Sequence, residues 1–148
     1  MGLVNLLFKF DGRIGRGEFW LAWLAYVIVQ LVLSIAGALS DSMTVSALSG
    51  MITIVMFVSG IAVGIKRLHD RNKSGWYVVL LYVVPTVLLL LGTMIGATGD
   101  GSTALAYGVW LIALAIAIWA FVELGCRRGT IGGNPYGPDP VAPKPAMH

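Results

Sequence analysis

The sequence predicts an all-α membrane protein: four transmembrane helices arranged as two hairpins, both termini cytoplasmic, with an ordered cytoplasmic face. Composition is the first sign. Hydrophobic residues make up 57% of the 148 residues and charged residues only 11%, far from the soluble norm of about half apolar and a quarter charged. The second sign is length. Four apolar stretches, 19–39, 45–65, 76–96 and 104–124, each supply the roughly 20 residues a helix needs to cross a hydrocarbon core. The third is charge placement, because all ten Lys and Arg residues fall on one side of that plot.

Lys9, Arg13 and Arg16 precede the first stretch, Lys66, Arg67, Arg71 and Lys73 fill the middle gap, and Arg127, Arg128 and Lys144 follow the fourth. The remaining gaps carry Asp41 and Asp100. Cytoplasmic loops retain basic residues, so both termini and the central loop are expected inside. Four spans and their short connections leave no room for a soluble domain, and residues 1–148 are read as one integral membrane domain. The net charge of +3 is then a topology signal that also suits anionic headgroups. Nucleic acid is excluded as a partner, since no basic stripe interleaves with aromatics. The expected partners are membrane lipids, a second copy of the chain, or another membrane protein.

Along the chain, residues 1–10 read as a short helix on the inner surface, followed by a glycine-broken stretch at 11–18. Arg13 and Arg16 before an apolar run ending in Ala36-Gly37-Ala38 imitate a cleavable signal. The run is longer than such signals use, so the first segment is read as a retained helix. Phe19, Trp20, Trp23 and Tyr26 open it, Trp76 and Tyr77 open the third span, and Trp119 and Phe121 close the fourth. Tyr107 and Trp110 mark the opposite end of the fourth span, and such rings favour the interface. The linkers 40–44 and 97–103 are short enough for tight hairpins, which close most simply as an up-down bundle. Gly60-x-x-x-Gly64 and Gly92-x-x-x-Gly96 let helices approach closely. Pro85 removes an N–H from the third span and is expected to kink it.

No ionisable residue lies near a midplane; Gln30, Thr53, Ser59 and Thr86 are the polar residues within the spans. A proton-coupled exporter built on a central carboxylate therefore lacks its engine. The cluster with chemical character is 66–76, running from Lys66 to Trp76. Continued as a helix, it places Lys66, His69 and Asp70 on one arc and Arg67 and Arg71 on the next, with Ile65 and Leu68 turned toward the bilayer. Two uses compete. The guanidinium groups of Arg67 and Arg71 could grip a phosphate or carboxylate. Alternatively, they anchor topology and pair with Glu18 or Glu123. Adjacent His69 and Asp70 point different ways on a helix and form no ready catalytic pair. Zinc needs three or four convergent ligands, and the chain offers His69, His148 and Cys126. No cofactor or metal is expected, and Cys126 reads as a spectator. The tail 129–140 is dense in turn formers, with Asn134, Tyr136 and Asp139 spaced among glycines and prolines. It reads as a fixed loop packed under the bundle.

These three segments together resemble the bacterial inner-membrane family grouped as domain of unknown function 805. Arg13, Arg16, Glu18, Phe19 and Trp20 fit its entry motif. Arg67, Leu68, His69, Asp70, Ser74, Gly75 and Trp76 fit its central motif, with Lys66 in place of an arginine. Gly129, Gly132, Asn134, Tyr136, Gly137, Asp139 and Pro140 fit its closing motif. The resemblance implies a four-span protein of the bacterial cytoplasmic membrane and no settled activity. It also gives weight to residues such as His69, Asp70, Asn134 and Asp139, which a generic basic anchor would not require. The reading that results is a non-enzymatic module whose basic face binds an anionic headgroup or an acidic partner segment. Arg13, Arg16, Arg67 and Arg71 would supply charge, Glu18, Asp70 and Asp139 would orient them, and Asn134 would brace the tail. A small transporter working through the Pro85 kink is the alternative, and a lipid-modifying enzyme with His69 as acid–base is the weakest.

Overall fold

A computed structural model describes residues 2–99 and 102–142; Asp100, Lys144 and His148 lie outside the described residues. The elements are helical: α1 (Leu3–Phe8), α2 (Arg16–Leu39), α3 (Met43–Asp70), α4 (Val79–Ala97) and α5 (Thr103–Cys126). The last four are long and apolar enough to cross a membrane. At 1.5 Å per residue, the 24 residues of α2 span about 36 Å, and the 28 of α3 about 42 Å. The longer α3 therefore carries its final turns, Lys66 to Asp70, past a core of roughly 30 Å. Most of the surface of the spans is apolar and exposed, as on α2 at Leu21, Leu24, Ile28, Leu31 and Ile35. Such a surface is stable only against lipid.

α2 packs on α3, and α4 on α5, so each short linker closes a hairpin. The hairpins meet at the end that carries the basic residues. There Leu68, Val78, Leu81 and Leu124 form one apolar cluster, and Leu6, Ile14, Ala22 and Val63 form another. Leu68 is thus fully buried between helices rather than turned to the bilayer, because Val78 and Leu81 at the start of the third span and Leu124 at the end of α5 cover that side of α3. α1 also does more than lie on a surface. It docks on α3, where Lys66 Nζ donates to Asn5 O at 2.9 Å and to Leu6 O, and Ser59 Oγ donates to Leu7 O at 2.8 Å.

Both small-residue motifs serve contacts within the chain. Gly60 lies under Tyr82 of α4 and Gly64 under Val78, just before α4 begins. Gly92 lies under the Trp110 indole and Gly96 under Ala106, both on α5. Pro85 does not act as a simple kink in mid-span. The first turn of α4, Val79–Val83, is a π-helix, and Pro85 follows just inside the α-helical part. The wider turn removes the demand for the N–H that proline lacks. The end of α5 also runs as a π-helix, Phe121–Cys126.

A side chain at Gly92 would occupy the space of the Trp110 ring, so Gly92→Val is expected to destabilise the fold by about 1–3 kcal/mol. Gly37 has no atom within 4 Å of a new Cβ, and Gly37→Val serves as the control in the same thermal-unfolding measurement.

Candidate functional site

The site is built where α3 stops. Arg71 N–H and Lys73 N–H both donate to Leu68 O at 2.9 Å, and Asn72 N–H donates to His69 O at 3.0 Å. Asn72 sits at φ 54, the left-handed conformation in which asparagine is the best substitute for glycine. This stop leaves Arg67, His69, Asp70 and Arg71 facing three different directions around the helix end.

Asp70 is the centre. Its Oδ1 accepts from Arg13 Nε at 3.1 Å and from Arg13 NH2 at 3.0 Å, and its Oδ2 accepts from Arg67 NH1. The side chains of Arg13, Arg67 and Asp70 are 1%, 0% and 4% exposed. One carboxylate cannot satisfy two guanidinium groups, and backbone carbonyls supply the rest. Arg13 donates to Gly132 O at 2.7 Å, Gly137 O at 3.2 Å and Thr130 O at 2.6 Å. Arg67 donates to Leu124 O at 2.6 Å and to Arg127 O. Leu124 and Arg127 lie in and just after the π-helical end of α5, whose altered hydrogen bonding leaves those carbonyls available. Gly129 passes so close to the Asp70 carboxylate that any Cβ there would collide with it.

Glu123 forms a second hub, 1% exposed, accepting from Arg71 Nε at 3.2 Å, Lys73 Nζ at 2.9 Å and Arg127 NH1 at 3.1 Å. Arg71 also donates to Arg128 O at 2.7 Å. The remaining residues singled out from sequence divide cleanly. Asn134 braces the tail, donating through Nδ2 to His69 O and Thr130 Oγ1, both at 2.9 Å, and accepting from Tyr136 N–H at 2.9 Å. The His69 ring stacks on Tyr136 with centroids 3.9 Å apart and planes at 5°, and its Nδ1 lies 3.3 Å from Gly12 O. Glu18 and Asp139, by contrast, make no hydrogen bond or ion pair with an arginine among the described residues. Glu18 caps α2 by accepting from Gly15 N–H at 3.2 Å. Asp139 accepts from Val141 N–H at 2.9 Å and Gly132 N–H at 3.0 Å. Each was free to do so because Asp70 and Glu123 already take the cations.

Arg16 differs from the other candidates in being exposed, with one 3.3 Å bond to Cys126 O. With Arg128, also exposed, it borders a polar pocket of about 150 Å³ lined as well by Arg67, Asp70, Thr130 and Asp139. Sequence alone does not bring Arg128 or Lys73 into the site, and it offers Glu123 as a pairing partner for Arg67 or Arg71, a place Glu123 takes beside Arg71 at 3.1 Å. Glu123 carried one signal, being a carboxylate at the end of an otherwise apolar span. Among the described residues, no three His, Cys, Asp or Glu side chains converge as a metal site would require.

Removing the Asp70 carboxylate leaves two arginines buried without their counter-charge. Asp70→Ala is expected to destabilise the protein by about 3–5 kcal/mol in thermal unfolding, whereas Arg16→Ala, at an exposed contact, stays below about 1 kcal/mol. The backbone donors of Val141 and Gly132 hold the Asp139 carboxyl below its ordinary value of 3.8. Its support of the tail is therefore complete above that value and is lost as pH falls through the lower folded one. The amide NMR signals of Gly132 and Val141 are expected to move together below the ordinary aspartate range. In Asp139→Asn they should not.

Comparison with known proteins places this geometry in context. Residues 7–138 match the family model described as protein of unknown function, DUF805. The chain is 33% identical to the uncharacterized protein YiiR of Escherichia coli K12, the alignment covering 94% of this chain and 90% of that protein. It is 29% identical to the inner membrane protein YhaH of the same strain, over 88% of this chain and 86% of the relative. It is 30% identical to inner membrane protein YhaI, over 88% and 85%. None of these names carries an enzymatic activity. No solved structure matches the chain significantly.

Proposed function

The chain belongs to the DUF805 family of multi-pass membrane proteins, and from that premise we propose that it is a membrane-embedded binding protein whose charged end faces the cytoplasm and engages an anionic lipid headgroup. The observation that carries this reading is the charge imbalance at the helix ends. Arg13 and Arg67 share Asp70, while Arg71, Lys73 and Arg127 share Glu123. Five cations on two carboxylates leave an excess of three positive charges in a partly desolvated place, where their field attracts anions.

The buried arginines cannot be the groups that grip. Arg13 and Arg67 spend their donors on Asp70 and on backbone carbonyls, and turning either outward would break that set. Contact falls instead to Arg16 and Arg128 at the rim of the polar pocket. A phosphate there meets guanidinium groups from two sides, a geometry suited to paired charge-assisted hydrogen bonds. The cytoplasmic orientation rests on the positive-inside rule. A lipid is favoured over an acidic protein segment because exposed Phe121, Val122 and Trp76 flank the charged end. Acyl chains and a headgroup phosphate match that combination of surfaces. Acid–base catalysis by His69 finds no support, since its ring is stacked on Tyr136 and Asp70 is committed to the arginines.

The test is native mass spectrometry of the purified chain with phosphatidylglycerol or phosphatidylcholine added. Retention of phosphatidylglycerol is expected to fall roughly tenfold or more in Arg16→Ala/Arg128→Ala, with phosphatidylcholine unchanged. Equal retention of phosphatidylglycerol by that variant and the unmodified chain would overturn the reading and redirect it to an acidic protein partner.

A further inference from the structure

Above the apolar clusters of the charged end, the two hairpins part and their four spans line a cavity of about 520 Å³. That volume is typical of small-molecule sites, which run from about 300 to 1,000 Å³. Its wall is mostly apolar, with five polar side chains from α2, α3 and α4. Three of these are satisfied within the protein. Tyr26 Oη and Ser59 Oγ lie 2.8 Å apart, Thr53 Oγ1 donates to Ser49 O at 2.8 Å, and Thr86 Oγ1 donates to Tyr82 O at 2.7 Å. The other two are the Gln30 side-chain amide and the Tyr82 hydroxyl. Neither has a hydrogen-bond partner among the described residues. An unmatched amide or hydroxyl is unfavourable in hydrocarbon, so these two donors mark where a ligand's acceptor atoms belong.

Depth narrows the ligand. Gln30 stands near the middle of α2, about 21 Å along the helix from Arg16. At that depth a phospholipid offers methylenes, since its ester oxygens stay at the edge of the hydrocarbon. Shape narrows it further. The Tyr82 ring lies 5.2 Å from that of Phe57 at 31°, and its hydroxyl rests over Gly60, where any Cβ would displace it. The π-helical turn containing Tyr82 turns that ring inward, and such turns are frequent at functional sites.

We propose that this cavity binds a prenyl quinone. The ring carbonyls accept from Gln30 Nε2–H and Tyr82 Oη–H. The flat ring lies among aromatic side chains, and the isoprenoid tail follows the apolar wall toward the bilayer. The inference uses residues separate from Arg16 and Arg128 and stands apart from headgroup binding.

Trp20 and Trp23 line the cavity and report on it. The purified chain in detergent is titrated with decylubiquinone while tryptophan emission is followed. Saturable quenching is expected, weakened about three- to tenfold in Tyr82→Phe and again in Gln30→Leu, each losing one hydrogen bond. Arg16→Ala/Arg128→Ala is expected to quench like the unmodified chain. Gln30 is exposed, borders the cavity and has no hydrogen-bond partner among the described residues, so Gln30→Leu decides the matter even if Tyr82→Phe fails to fold. Linear quenching that is identical in every variant would mean partition into the micelle and would overturn the proposal. Displacement of the quinone by phosphatidylglycerol at equal concentration would overturn it too, identifying a site for acyl chains.

Discussion

The ion triad of Arg13, Asp70 and Arg67 is the constraint on which the rest of the charged end depends. Burying two guanidinium groups against one carboxylate is favourable only when every remaining donor is met. That requirement recruits carbonyls from the tail, from the end of α5 and from the loop after it. The tail is therefore held as a fixed loop by cations it does not contain. Its glycines serve the same end, Gly129 by clearing the Asp70 carboxylate and Gly132 by adopting a positive φ of 77° while offering its carbonyl to Arg13.

The two π-helical segments give the molecule its division of labour. At the end of α5, the wider turn brings Glu123 inward to hold three cations and leaves Gly125 O for Trp20 Nε1 at 3.1 Å. The Trp20 ring then packs over Gly125, where a Cβ would press on the indole at 2.7 Å. This ties α2 to α5 at the charged end. At the start of α4, the other π segment accommodates Pro85 and sets Tyr82 against Gly60 of α3, with Val78 just before it against Gly64. Close packing at one end and a lined cavity beyond it follow from the same chain. The closed end holds position while the other leaves room.

Much of the architecture was legible because it is local. Span lengths follow from runs of apolar residues, and the basic residues declare a single face. The glycine pairs were also readable as contact points, since close packing in lipid requires small residues. The roles of the charged side chains were less legible. Arg13, Asp70 and Asn134 stand out as important, yet which arginine is buried depends on carbonyls 57 to 124 residues away. Lys66 shows the difficulty best. It reads as one more loop cation, and in the fold it is fully buried as the cap of α1. Sequence alone casts Glu18 and Asp139 as partners for arginines, but local backbone donors at Gly15, Gly132 and Val141 hold both, and two of those donors lie within three residues in sequence. The cavity was invisible from sequence, because periodicity reports which residues are apolar and not whether helices meet or part.

The closure of the tail onto Asp70 has a consequence for biosynthesis. The carbonyls that complete Arg13 belong to Thr130, Gly132 and Gly137, which leave the ribosome after all four spans. Until then Arg13, Arg67 and Asp70 remain incompletely matched, hydrated, and accessible from the membrane surface. A chain cut short before residue 130 would keep its spans and present an open cluster of charge. Burial of that cluster therefore waits on the loop that carries Thr130, Gly132 and Gly137, so membrane insertion of the spans and closure of the charged end are separate events in time.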